Sequence, residues 1–282
     1  MFASLAIIGV GLIGGSVALA ARKKKVARRI VGIGRNEKSL AKAQALGVVD
    51  DYSTEIASAV AQSDLIVVCT PVTQIAEHVL TAAKYASPGT FITDAGSTKA
   101  ELTQYIEREL TKTKSAALFV GSHPMAGSEK TGVEYARADL FSNRVVILTP
   151  TKKSKALAVT KITEFWEALG AKIHSVSPET HDALVASASH VPHVVSSALA
   201  AATPTKCLPL TAGGWLDTTR IAAGDAELWR QILSQNRSQV LKGLARFEKV
   251  LSDFRAALER GDDAKLLHLL EAGKRTRDSV GS

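Results

Sequence analysis

Residues 5–14 constrain this chain more than any other stretch. Residues 5–8 are a short apolar run rich in β-branched side chains. Gly9-Val10-Gly11-Leu12-Ile13-Gly14 follows at once, and then Ser16-Val17-Ala18-Leu19-Ala20-Ala21. An unbroken apolar run of this length reads as a buried parallel strand, and the small apolar residues after the glycines read as a helix opening directly from the turn. The three glycines have separate duties. Gly9 permits the tight turn, Gly11 lets the backbone approach a pyrophosphate, and Gly14 allows the helix to pack closely on the strand. The free N–H groups and positive dipole end of the helix face the same place. Glycines at this spacing are a weak signal alone, but inside a strand–turn–helix unit of about 30 residues they predict dinucleotide binding. Gly9, Gly11, Leu12, Ile13 and Gly14 are thereby assigned to the cofactor site.

The alternation continues downstream. Strands are expected at residues 30–33, 65–69, 90–93, 118–120, 145–148 and 171–175, with helices at 37–46, 72–85, 99–110 and 154–169. Strands alternating with helices imply a parallel sheet covered on both faces. Beyond Ser177-Pro178 the strand-like runs stop, and helical periodicity takes over at 179–202, 228–259 and 262–280. The expected architecture is a Rossmann-like, doubly wound parallel sheet domain over residues 1–177. An all-α domain over residues 178–282 would serve the substrate and dimerisation.

Composition narrows the setting. At 46% apolar and 22% charged residues, 282 residues suffice for a real core and two modest domains. The net charge is +8, which suits anionic small molecules. The one tight basic run, residues 22–25 with Arg28 and Arg29 behind it, reads as a solvated helix end, so no nucleic-acid partner is expected. Cys69 and Cys207 are far apart, without metal-ligand spacing, which fits a reducing cytoplasmic setting. The first 20 residues lack a basic leader and are interrupted by glycines, so neither a signal peptide nor a membrane span is expected.

The end of the second strand should carry an acid if the adenosine ribose keeps a free 2′-hydroxyl. Gly34-Arg35-Asn36 stands there instead, which inclines the cofactor from NAD toward NADP. Cys69-Thr70-Pro71-Val72 follows a strand, and Thr70 and Pro71 are expected to line the nucleotide crevice. Three further segments carry polar chemistry. Asp94-Ala95-Gly96-Ser97-Thr98-Lys99 and Gly121-Ser122-His123-Pro124-Met125-Ala126-Gly127-Ser128-Glu129 each follow a strand, where open α/β sheets build their sites. The helical half holds His181-Asp182, Ser189-His190-Val191-Pro192-His193 and Leu216-Asp217-Thr218-Thr219-Arg220. His190 and His193 are three apart but lack a third ligand, so no metal is expected. For His190 the plainer reading is a helix histidine satisfied by backbone.

In this order, from about residue 5 to residue 260, these motifs resemble the prephenate/arogenate dehydrogenases. The His-Pro-Met-Ala-Gly stretch followed by Ser-Glu is the most specific of them. The resemblance implies that His123 is the catalytic histidine taking a hydrogen bond from the substrate's ring hydroxyl, with Ser97 sharing that network. It implies that Glu129 stands at the mouth of the site, that Arg220 binds a substrate carboxylate, and that His181 and His193 shape the pocket. Asp217 would orient a neighbouring side chain. It further implies a dicarboxylate substrate and a homodimer through the C-terminal helices. Arg35 in place of an acid is the departure from the family pattern. A β-hydroxyacid dehydrogenase would need a lysine context in the helical domain that is missing here. A non-enzymatic dinucleotide sensor would leave His123, Ser97 and Arg220 without a purpose.

Overall fold

A computed structural model describes residues 1–128 and 130–281. The chain runs β1 (Phe2–Ile8), α1 (Leu12–Lys23), β2 (Ala27–Ile33), α2 (Glu37–Ala45), β3 (Asp51–Ser53), α3 (Ile56–Val60), β4 (Leu65–Val68), α4 (Val72–Tyr85), β5 (Phe91–Asp94), α5 (Ala100–Lys112), β6 (Leu118–Pro124), β7 (Val145–Thr149), α6 (Ala156–Ala168) and β8 (Lys172–Ser175). It is helical thereafter: α7 (Pro178–Val185), α8 (Val191–Ala202), α9 (Gly213–Thr219), α10 (Ala226–Gln235), α11 (Arg237–Arg260) and α12 (Asp263–Asp278). A π-helical turn, Ala186–His190, joins α7 to α8.

The strands form one sheet in the order β3-β2-β1-β4-β5-β6-β7-β8. Leu5 of β1 pairs with Ile30 on one side and Leu65 on the other, so the chain reverses its winding direction at β1. All four residues of β4 are fully buried, and their side chains alternate between two cores, as the strand's period of two requires. Leu65 and Val67 join Val17 of α1 and Ile162, Phe165 and Trp166 of α6. Ile66 and Val68 join Ile75 and Val79 of α4 and Ile106 of α5. Each such side chain contributes roughly 1.5–3 kcal/mol by leaving water.

The sheet departs from the all-parallel expectation at its far edge. β7 runs antiparallel to β6, with His123 opposite Ile147, and β8 is parallel to β7. A parallel return needs a crossover to the other end of the sheet, usually a helix. Among the described residues of 125–144 the only helical element is a short 3-10 turn at Val133–Tyr135, so the chain re-enters from the end it left. β6 is also longer than expected, and His123 lies inside the strand instead of just after it. β3 and α3 are short elements that periodicity did not resolve.

Residues 1–236 make one compact unit and residues 237–282 a second. The helices expected to open a separate domain at Pro178 therefore share a unit with the sheet as far as Asn236. Ser177 caps α7 by accepting from the Thr180 amide, with Pro178 in the first turn. The stretch Pro178–Ala202 is long and apolar enough to cross a membrane by length and composition. Yet His181, Asp182, His190, His193 and Ser196 are all buried along it, and Asp182 accepts hydrogen bonds from the first amides of α5. The helical pattern at 228–259 divides at Asn236, whose side chain donates to the Asp182 carbonyl and meets His190. In the second unit, α11 leaves Leu241, Leu251 and Leu258 exposed, and Asp262 caps α12 through the Lys265 amide.

Candidate active site

The glycine turn is built as its spacing predicts. Gly9 adopts φ +95°, and a Cβ there would sit 2.8 Å from the Cys69 carbonyl oxygen. A Cβ on Gly14 would fall 2.1 Å from the Gly9 carbonyl oxygen, so the first turn of α1 lies directly against the strand end. A Cβ on Gly11 would meet nothing within 4 Å. That open space faces a cleft of about 650 Å³ lined by Gly11, Leu12 and Ile13 on one side and by Thr70 and Pro71 on the other. A bare backbone turn at a helix N-terminus, with room before it, fits a dinucleotide diphosphate. Thr70 is held by its hydroxyl, 3.0 Å from His78 Nδ1. Arg35 is exposed in the bend after β2, and Asn36 beside it caps α2 through the Ser39 amide.

Ser97 and His123 line the same cleft, at the ends of β5 and β6. Ser97 sits on a short segment pinned by a buried ion pair. Lys99 Nζ lies 2.6 Å from Asp94 Oδ2 and donates also to the carbonyls of Gly96 and Thr98. Asp94 in turn accepts from the amides of Gly96 and Ser122, so one carboxylate ties the Ser97 segment to the residue before His123. Ser122 is fixed further by Thr93, the Asp94 carbonyl and the indole N–H of Trp166.

Behind His123 stands a hydrogen-bonded series. His123 Nδ1 lies 2.8 Å from His181 Nε2, and His181 Nδ1 lies 2.7 Å from Asp182 Oδ1. His181 is fully buried and does not itself line the cleft. Burial drives the His123 pKa well below the ordinary histidine value, assisted by the nearness of His181, Lys99 and His190. Burial also lowers His181, against the opposing effect of its hydrogen bond to the Asp182 carboxylate. For Asp182 burial works upward, but the bonds from His181, Ala100 and Lys99 leave its pKa below the usual value. His123 thus stands at the wall of the cleft with its charged form disfavoured by burial, an imidazole placed to accept a proton.

The helices close the other side. Arg220, His190 and Trp229 line the cleft. His193 reaches it only through Trp229, on which it stacks at 3.6 Å between ring centroids. Asp217 is exposed on α9 and lies outside the lining residues. Glu129 lies outside the described residues. His190 is paired with the Asn236 side chain and not with backbone, and burial lowers its pKa to about 4. A second cleft, between α4 and α5 and lined by Lys84, Tyr105 and Glu109, holds none of the expected site residues.

Sequence reasoning missed Lys99, Asp182, Trp229 and Asn236 as parts of the site. Lys99 and Asp182 stood inside quoted motifs without an assigned role. Trp229 lay hidden between Leu228 and Ile232 in a helical apolar pattern, and Asn236 inside a stretch read as continuous helix. Only the break in apolar spacing at Asn236 could have signalled it.

The geometry agrees with the comparisons. Residues 17–175 match the family profile "Prephenate dehydrogenase, nucleotide-binding domain", and residues 177–272 match "Prephenate dehydrogenase, dimerization domain". The prephenate dehydrogenase of Bacillus subtilis is 34% identical over 98% of this chain and 76% of its own length. The cyclohexadienyl dehydrogenase of Zymomonas mobilis is 31% identical over 98% of this chain and 96% of its own. The crystal structure of the A. aeolicus prephenate dehydrogenase, in complex with hydroxyphenyl propionate and NAD+, superposes with a TM-score of 0.91 at 33% identity, covering 99% of both chains.

Proposed function

Since the chain belongs to the prephenate dehydrogenase family, we propose that it converts prephenate to 4-hydroxyphenylpyruvate by oxidative decarboxylation in tyrosine biosynthesis. One observation carries this reading: a buried His123 shares a cleft with Ser97, with Arg220 and with an open glycine turn. The nicotinamide dinucleotide, when bound, supplies the hydride acceptor. Gly11, Leu12, Ile13, Thr70 and Pro71 would hold it. Arg35 in place of an acid favours a 2′-phosphate, whereas the A. aeolicus relative was solved with NAD+.

The remaining work falls to side chains of this chain. His123 takes the proton of the ring hydroxyl as that carbon gains carbonyl character. Ser97 lies in the same cleft to share the hydrogen bond. Arg220 presents a planar fork to a substrate carboxylate. Trp229, backed by His193, gives a flat apolar wall for the ring. Loss of CO2 aromatises the ring, so the second half runs downhill and asks of the protein mainly orientation. The exposed leucines of α11 support assembly into a homodimer, in keeping with the matched dimerisation profile, and the enzyme is read as cytoplasmic.

The test is the appearance of reduced-nicotinamide absorbance with prephenate or arogenate, each with NAD and NADP. The Zymomonas relative's broader name is the reason for the arogenate arm. Turnover fastest with prephenate supports the reading. Turnover fastest with arogenate moves the substrate to the amino analogue. Silence in all four combinations, with cofactor binding intact, sinks it.

A further inference from the structure

We infer that Asp182 is the positioning residue that sets which nitrogen of His123 is free to take a proton, and that the same carboxylate seats the segment carrying Ser97. The inference rests on the reading of His123 as proton acceptor.

An ionised carboxylate only accepts hydrogen bonds. Asp182 Oδ1 accepts from the Lys99 amide at 2.8 Å and Oδ2 from the Ala100 amide at 2.9 Å. Both are free amides at the start of α5, where a helix's positive end favours an anion. Asp182 therefore faces donors only, and His181 Nδ1, 2.7 Å from Oδ1, must carry its proton there. A neutral imidazole has one N–H, so His181 Nε2 is bare and must accept. Its partner 2.8 Å away is His123 Nδ1, which must then be protonated. The nitrogen left bare on His123 is Nε2, the acceptor that a hydroxyl proton requires. Two imidazoles in series pass the preference of one carboxylate to the cleft.

The inverse arrangement shows what the charge does. An amide at position 182 must set its N–H against the Lys99 amide or the Ala100 amide, since the carboxylate accepts from both. Where the N–H takes the place of Oδ1 it points at His181 Nδ1, each proton moves to the other ring nitrogen, and His123 offers an N–H to the cleft where a lone pair is needed. The second role is local. The two amides that Asp182 holds belong to the residues that follow Thr98, so the Ser97 segment and the His123 side chain are fixed by one group. Asn236, donating to the Asp182 carbonyl at 2.8 Å, holds the end of α7 in place.

The experiment uses the full chain labelled with 15N in its histidines, reading each ring nitrogen's protonation from its shift, beside steady-state turnover of prephenate. In the unsubstituted protein the expected pattern is Nε2 bare and Nδ1 protonated on both His123 and His181. In Asp182→Asn the charge no longer fixes the pattern, so the inverted pattern appears in part or all of the protein and kcat falls by ~10-fold or more, toward the loss seen when a base is held in the wrong tautomer. Asp182→Glu, which keeps the charge, keeps the original pattern and part of the rate. A His123 protonated on Nε2 in the unsubstituted protein overturns the inference even if no variant folds. So does an Asp182→Asn protein with kcat within about threefold of normal. Absence of prephenate turnover in the unsubstituted protein would instead remove the functional reading, while the nitrogen shifts still decide the relay.

Discussion

An alanine at Gly14 would place its Cβ 2.1 Å from the Gly9 carbonyl oxygen, whereas one at Gly11 would meet nothing within 4 Å. The two substitutions should fail in different ways. Gly14→Ala forces backbone apart inside the first turn of α1 and should cost ~1–3 kcal/mol of stability, as overpacking does, seen as a lower denaturant midpoint. Gly11→Ala should leave that midpoint unchanged and weaken dinucleotide binding by about tenfold or more, because the new methyl occupies the approach of the diphosphate. Equal loss of stability in both variants would contradict the separate duties assigned to them. These duties were legible in the sequence because they depend on residues within one turn. The role of Asp182 was not, since its carboxylate meets the Lys99 amide across 83 positions of chain, and no local pattern encodes such a meeting.

Elements buried on both faces were the legible ones, because an unbroken apolar run such as residues 65–68 has few alternatives. The apolar pattern stops short of the end of β6 because Gly121, Ser122 and His123 interrupt it, although Ser122 finds partners in Asp94 and Thr93 of the sheet and His123 in His181 of α7. The direction of β7 could not be read from its own residues at all, since that depends on how the preceding loop returns. What joins β5, β6 and α5 at the site is the Asp94–Lys99 pair, with both side chains fully buried. Burying two charges is costly, and removing one of them leaves the other uncompensated. Lys99→Met should therefore destabilise the protein by ~3–5 kcal/mol, the range for a broken buried pair, in urea unfolding followed by circular dichroism. Asp94→Asn in the same background should recover part of that loss by removing the stranded charge. A Lys99→Met protein as stable as the parent would mean that the pair contributes nothing to joining these elements.

Over the whole molecule five buried or half-buried histidines act together on stability. His78, His123, His181, His190 and His193 all have pKa values lowered, in each case chiefly by burial. In the unfolded chain they titrate near 6.5. Below that pH the unfolded state binds protons that the folded state refuses, so the stability these groups provide is complete above about pH 6.5 and declines as the pH falls toward their folded values. His190, at about 4 in the fold, would alone account for a loss of ~3 kcal/mol across that window, and the other four steepen the decline. Asp182, whose folded pKa is lowered, adds its own loss at still lower pH, where it must be protonated against its three donors. Urea midpoints measured from pH 8 to pH 5 should hold steady down to about pH 7 and then fall. His190→Gln, which removes one titrating group, should flatten that slope even if it is less stable at pH 8. Midpoints that stay level to pH 5 would mean that the folded protein accepts these protons as readily as the unfolded chain does, and that burial does not hold these histidines below their ordinary value.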